Sequence, residues 1–207
     1  MIELYSGTPG SGKSLHLAAL MKKWMHLFKA PVIGNFAFNA SMCRPRGWGS
    51  YLEVPNSKLT PEFLIAFSQK YKMLRKWNNI PEEHILLVID ECQLLFNARE
   101  WNKGNRAGWI SFFTQHRKLG YRIILVAQFD RMIDRQIRSL IEYEFIHRKV
   151  KNIGVGGKIM SILAGGGLHI AVQIYKPLNE KVGSDFFKAK KSLFALYDSY
   201  TTFDEGS

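Results

Sequence analysis

Cysteine is nearly absent from this chain, with Cys43 and Cys92 the two among 207 residues. So few thiols rule out a disulfide framework and suit a reducing compartment. Long apolar runs are missing too. The longest, such as residues 85–89 and 123–127, fall far short of the roughly 20 residues that a spanning helix needs. No signal peptide is expected, because the chain enters a strand-like segment at once. Acidic residues are scarce, 17 against 29 Lys and Arg, which leaves a formal charge of +12. That balance points to an anionic partner, either nucleic acid or a membrane surface. The basic residues are spread along the chain, so a generally solvated basic surface is the alternative. There is no internal repeat, no zinc-ligand spacing and no serine-triad pattern. Apolar residues make up 46%, enough for a sizeable core in a chain of one-domain length.

The most specific stretch is Gly7-Thr8-Pro9-Gly10-Ser11-Gly12-Lys13-Ser14. It satisfies G-x-x-x-x-G-K-S/T at every fixed position. Glycines let the loop fold tightly, so that successive N–H groups cradle the α- and β-phosphates of a nucleotide. Lys13 then reaches the β- and γ-phosphates, and the Ser14 hydroxyl is placed for Mg²⁺. A strand candidate at 2–5 precedes the loop. A helix candidate from 13 to about 29 follows, with Leu17, Leu20, Met21, Trp24, Leu27 and Phe28 on one face. This is the strand–loop–helix setting that the motif requires. The guanine-specifying Asn-Lys-x-Asp is absent, since Asn102-Lys103-Gly104-Asn105 lacks the aspartate, which favours ATP.

A second strand is expected at 32–36 and a surface excursion at 39–58, whose Trp48 and Tyr51 either stack on bases or pack onto the domain. Thr60-Pro61-Glu62 opens a helix to about Trp77. Residues 85–89 read as a buried parallel strand ending in Asp90-Glu91. Asp90 would hold Mg²⁺ with Ser14, and Glu91 would polarise the attacking water. A loop at 97–106, a helix at 107–118 and a strand at 122–128 follow. Gln128 then either senses the γ-phosphate or orients the attacking water, or else makes simple loop hydrogen bonds. Arg131, Arg135 and Arg138 stand at helical spacing and are expected to share one face. There they are either solvated, or one reaches a neighbouring subunit's γ-phosphate. Past residue 140, strands are expected at 144–150, 158–163 and 169–175, with glycine turns between them. The fold class is therefore α/β: a phosphate-loop NTPase with a mainly parallel sheet flanked by helices. Its core runs to about residue 150, and a small β-rich extension covers 151–207.

The loop at 7–14, the strand ending Asp90-Glu91, the strand ending Gln128 and the segment Ile133-Asp134-Arg135-Gln136-Ile137-Arg138 come in a definite order. With Asn35 and the ending Tyr197-Asp198-Ser199-Tyr200, the chain resembles the N-terminal domain of the zonula occludens toxin family. That family includes the gene I assembly proteins of filamentous phages. The resemblance implies an ATPase, with ATP and Mg²⁺, that powers virion assembly and export as the cytoplasmic domain of a host inner-membrane protein. It also implies a homo-oligomeric ring and phage coat or packaging proteins as partners. Single-stranded DNA or anionic lipid headgroups are the expected contacts of the basic surface. The family's membrane span is not in these residues, so the sequence is expected to be either a piece of a longer protein or a short variant. Two rivals differ in chemistry. A small-molecule or nucleotide kinase would use residues 39–58 as its lid. A nucleotide-dependent binding switch would turn over little.

Overall fold

A computed structural model describes residues 1–97 and 103–197 of the chain. An eight-stranded sheet forms the frame: β1 (Ile2–Ser6), β2 (Val32–Gly34), β3 (Tyr51–Glu53), β4 (Ile85–Ile89), β5 (Tyr121–Val126), β6 (Tyr143–Lys149), β7 (Leu168–Tyr175) and β8 (Glu180–Lys188). Their order is β3-β2-β4-β5-β1-β6-β7-β8. The first six in that order run parallel, and β7 and β8 close the edge antiparallel.

The central strands are continuous apolar runs because both of their faces are covered. In β4, Ile85, Leu87 and Ile89 join one core layer while Leu86 and Val88 join the other. The first layer holds α2 (Pro61–Leu74) and α3 (Lys103–Gln115), whose Leu64, Trp109, Phe112 and Phe113 are buried in it. The second holds α1 (Lys13–Lys23) through Leu17, Ala18 and Met21. Beyond α1 the chain continues as a π-helical turn, Trp24–Phe28, whose Trp24 and Met25 stay buried. Each such side chain contributes roughly 1.5–3 kcal/mol on burial. Thr60 caps α2 by accepting from the Phe63 N–H at 3.2 Å, with Pro61 as the first helical residue.

Several expected elements differ from what is observed. Residues 51–53, expected inside a surface excursion, are the edge strand β3, and the Tyr51 hydroxyl donates to the Phe36 carbonyl at 2.5 Å. Trp48 packs edge-on against Tyr71, 5.9 Å away, so these two aromatics pack onto the domain. The helix expected from 107 begins at Lys103; residues 98–102 of the expected loop lie outside the described residues. Residues 158–163, expected as a strand, belong to the helix α5 (Gly154–Leu163). The strand β8 was not expected. The four-residue helix α4 (Arg135–Arg138) excludes Arg131, which sits in a 3₁₀ turn at Asp130–Met132, with extended Ile133 between them. The three arginines therefore do not share one helical face. A short helix α6 (Lys191–Phe194) leads to Leu196, whose carbonyl accepts from the Asn39 N–H at 2.9 Å. Asp198, Ser199 and Tyr200 lie outside the described residues. Among the described residues, no helix is long and apolar enough to cross a membrane.

Candidate functional site

The loop at 7–14 leaves β1 and enters α1 at the carboxyl edge of the sheet. Gly7, Gly10 and Gly12 all have positive φ, at 138°, 71° and 103°. Two of them also allow close approach. A Cβ on Gly7 would lie 2.6 Å from the His147 carbonyl, and one on Gly12 would lie 2.7 Å from His169 Nδ1. No side chain caps α1, so its first N–H groups and its dipole are open to an anion. Lys13 folds back over the loop, donating to the Gly7 carbonyl at 2.5 Å and more weakly to that of Thr8 at 3.4 Å. Partial burial pushes its pKa down, opposed by the charges of Asp90 and Glu91. That attraction relates the loop to the carboxylates ending β4.

Asp90 is 9% exposed and its backbone is clamped by Asn35. Asn35 Oδ1 accepts from the Asp90 N–H at 2.7 Å, and its amide donates to the Asp90 carbonyl at 2.9 Å and to Asn56 Oδ1 at 2.8 Å. One Asp90 carboxylate oxygen accepts from the Glu91 N–H at 2.9 Å, and the other accepts from the Tyr197 hydroxyl. Burial raises the Asp90 pKa to about 6. Glu91 takes a left-handed conformation, φ 45° and ψ 46°, and its carboxylate accepts from the Gln93 amide. A non-glycine residue at such angles costs about 1–2 kcal/mol.

Gln128 follows β5, the strand that separates β1 from β4, and so lies between the loop and the carboxylates. Its carbonyl accepts from the Gly7 N–H at 3.1 Å. The residues from 7 to 14, Asp90, Glu91 and Gln128 therefore gather at one sheet edge. Arg135 is exposed on α4 and Arg138 half-buried. Neither lines the cleft beside the loop.

That cleft, about 680 Å³, opens on the β6 side of the loop. Ser6 donates to Glu144 at 2.6 Å there, and Lys176 bridges Glu144 and Asp130 at 2.8 and 3.3 Å. Behind the loop stand three histidines that the sequence reading did not single out. His169 Nδ1 donates to the Ser11 carbonyl at 2.8 Å, and His147 Nδ1 donates to the Ser6 carbonyl at 3.2 Å. With His147 neutral, its Nε2 must accept, so His16 Nδ1 donates to it across 3.0 Å. No local signal marks these residues, because β6, β7 and α1 bring them together from distant positions.

With this geometry in view, residues 54–204 match the family described as zonular occludens toxin (Zot). The chain belongs to the zonular occludens toxin family. It is 30% identical over 192 residues to the Gene 1 protein of Escherichia phage If1, a match covering 87% of this chain and 50% of that protein. Other curated relatives match over 35% of their length, so the chain spans half or less of each. Its fold is that of the N-terminal domain of zonular occludens toxin from Neisseria meningitidis, with TM-score 0.55 and 15% identity over 95% of this chain and 98% of that one. The genome packaging NTPase of Sulfolobus turreted icosahedral virus 2, solved in complex with ATP-γS, superposes with TM-score 0.53 and 12% identity, over 91% and 96% of the two chains. The chain thus shares the α/β fold of these two structures, and its curated relatives are phage Gene 1 proteins.

Proposed function

We propose that this chain is the ATP-hydrolysing motor domain of a filamentous phage assembly and export protein, working as an oligomer at the host inner membrane. The observation that carries this reading is the meeting of the Lys13 loop with Asp90 and Glu91 across β5. The loop N–H groups and the α1 terminus bind the phosphates, and Lys13 exchanges the Gly7 and Thr8 carbonyls for phosphate oxygens. The Ser14 hydroxyl and the Asp90 carboxylate are hard oxygen donors of the kind that would hold Mg²⁺. Bound there, the ion would neutralise charge on the phosphates. Glu91 accepts the proton of the attacking water, and Gln128 orients that water or the γ-phosphate. Arg135 or Arg138 serves a neighbouring subunit's site. Coat or packaging proteins and single-stranded DNA are the proposed cargo, and the basic surface is suited to DNA. Attachment to the membrane would use a span outside this chain. The kinase reading is weakened because β3 ties its candidate lid to the sheet edge.

The test is ATP hydrolysis against protein concentration for the native chain, Lys13→Ala and Glu91→Gln. A per-subunit rate that rises with concentration is expected. Lys13→Ala should lose ATP binding, while Glu91→Gln should keep binding and lose about 10²–10⁴-fold in turnover. Equal rates for native and Glu91→Gln chains would overturn the assignment of the base. Phosphate transfer to an added acceptor would favour the kinase.

A further inference from the structure

The helix α5 is built inside out. Amphipathic helices ordinarily bury their large apolar side chains and expose polar ones. Here the buried residues are Gly157 and Ser161, while Val155, Ile162 and Leu163 are 75%, 76% and 83% exposed. Ile153, Ile159 and Met160 extend the same exposed surface. The small residues fix this orientation. A Cβ on Gly157 would lie 2.2 Å from the Val150 carbonyl, so α5 rests on the turn Val150–Asn152 by a contact that no side chain allows. Rotating the helix to bury Ile162 and Leu163 would destroy that contact. Glycines with positive φ bracket it, Gly154 before and Gly165, Gly166 and Gly167 after.

The charge that the chain carries through this patch has one sign. No acidic residue occurs between Glu144 and Glu180. Exposed Arg148 and Lys151 precede the helix and exposed Lys158 lies within it. Lys188 stands at its far end, where a Cβ on Gly165 would lie 3.4 Å from its Nζ. An apolar face rimmed by cations matches an anionic bilayer, with apolar side chains in the acyl boundary and ammonium groups at the headgroups. It does not match the same face of a second copy, which would set Arg148, Lys151, Lys158 and Lys188 against their own counterparts. At ten residues, the helix is about 15 Å long, too short to cross a bilayer and suited to lying in its surface.

We propose that the outer face of α5 docks in the surface of an anionic lipid bilayer. This contact belongs to the folded domain itself and is separate from any spanning segment. It does not require nucleotide turnover. Asn152 and Ile153, which lead into α5, also line the cleft beside the phosphate loop, so the docked surface adjoins the nucleotide site.

The experiment is flotation of the whole chain, without nucleotide, with phosphatidylcholine vesicles and with vesicles containing about a third phosphatidylglycerol. Binding to the anionic vesicles alone is expected, weakened at about 0.5 M salt. The double variant Ile162→Glu/Leu163→Glu should bind at least about tenfold less, with its circular dichroism and melting unchanged because both side chains already face solvent. A solvatochromic dye on Leu163→Cys should shift blue on the anionic vesicles, and the same dye on Met73→Cys, 77% exposed on α2, should not. Absence of vesicle binding, equal binding to both lipids, or binding unaffected by the double variant overturns the proposal. Loss of an oligomer in the double variant with vesicle binding intact would assign the face to a second copy instead.

Discussion

Gly12 carries two constraints at once, a φ of 103° and a neighbour at 2.7 Å from where a Cβ would stand. Gly12→Ala would therefore strain the backbone and push on His169, which holds the Ser11 carbonyl. It should cost about 1–2 kcal/mol of stability and, by calorimetric titration with a nucleotide analogue, weaken binding about tenfold or more. The histidines behind the loop give a pH signature. Burial and then the neighbouring His16 hold His147 down to about 3, and burial holds His16 down to about 4. An unfolded histidine takes its proton near 6.5. Below that pH the unfolded chain binds protons that the folded one refuses, so stability present above pH 6.5 is lost as the pH falls toward 3–4. Replacing His147 by Gln should lessen that fall by about 1.4 kcal/mol per pH unit, read from urea unfolding midpoints. Asp90, raised to about 6, acts with the opposite sign from pH 6 downward, so the comparison must be variant against native.

At the scale of elements, the motif loop, β1, β4 and the start of α2 were legible because each carries its own chemistry. The glycines set the loop, an all-apolar run sets β4, and Thr60-Pro61 sets the cap. Thr60→Ala should lower stability by about 1 kcal/mol by leaving the Phe63 N–H without its acceptor, measurable by thermal melting. What was not legible depends on neighbours. Ile159, Met160, Ile162 and Leu163 read as a short strand because an apolar run between glycine turns suits a hairpin; in α5 they face outward. The pattern of β8 is hidden because it pairs only with β7 and much of it stays exposed. The arginine spacing was real, but extended Ile133 breaks the helix that would have aligned the three side chains. Asn35 and Tyr197 could be noted in the sequence as family-like positions. Their convergence on Asp90 from β2 and from the segment after α6 is a property of the fold.

For the whole molecule, the order of assembly follows from where β1 sits. It precedes the other seven strands in the chain, yet its two partners are β5 and β6, at residues 121–126 and 143–149. The earliest strand of the sheet is thus among the last to be satisfied. At about 5–20 residues per second, synthesis from β1 to the end of β6 takes roughly 7–30 s, and throughout that time β1 and its loop have no complete sheet to join. Such distant pairing also slows refolding, so after dilution from urea the ability to bind nucleotide should return later than helical dichroism. A chain ended at Ile141 should show no cooperative unfolding transition. The loop at 7–14, made well before the strands that hold it, is in this sense among the last parts of the domain to come into existence.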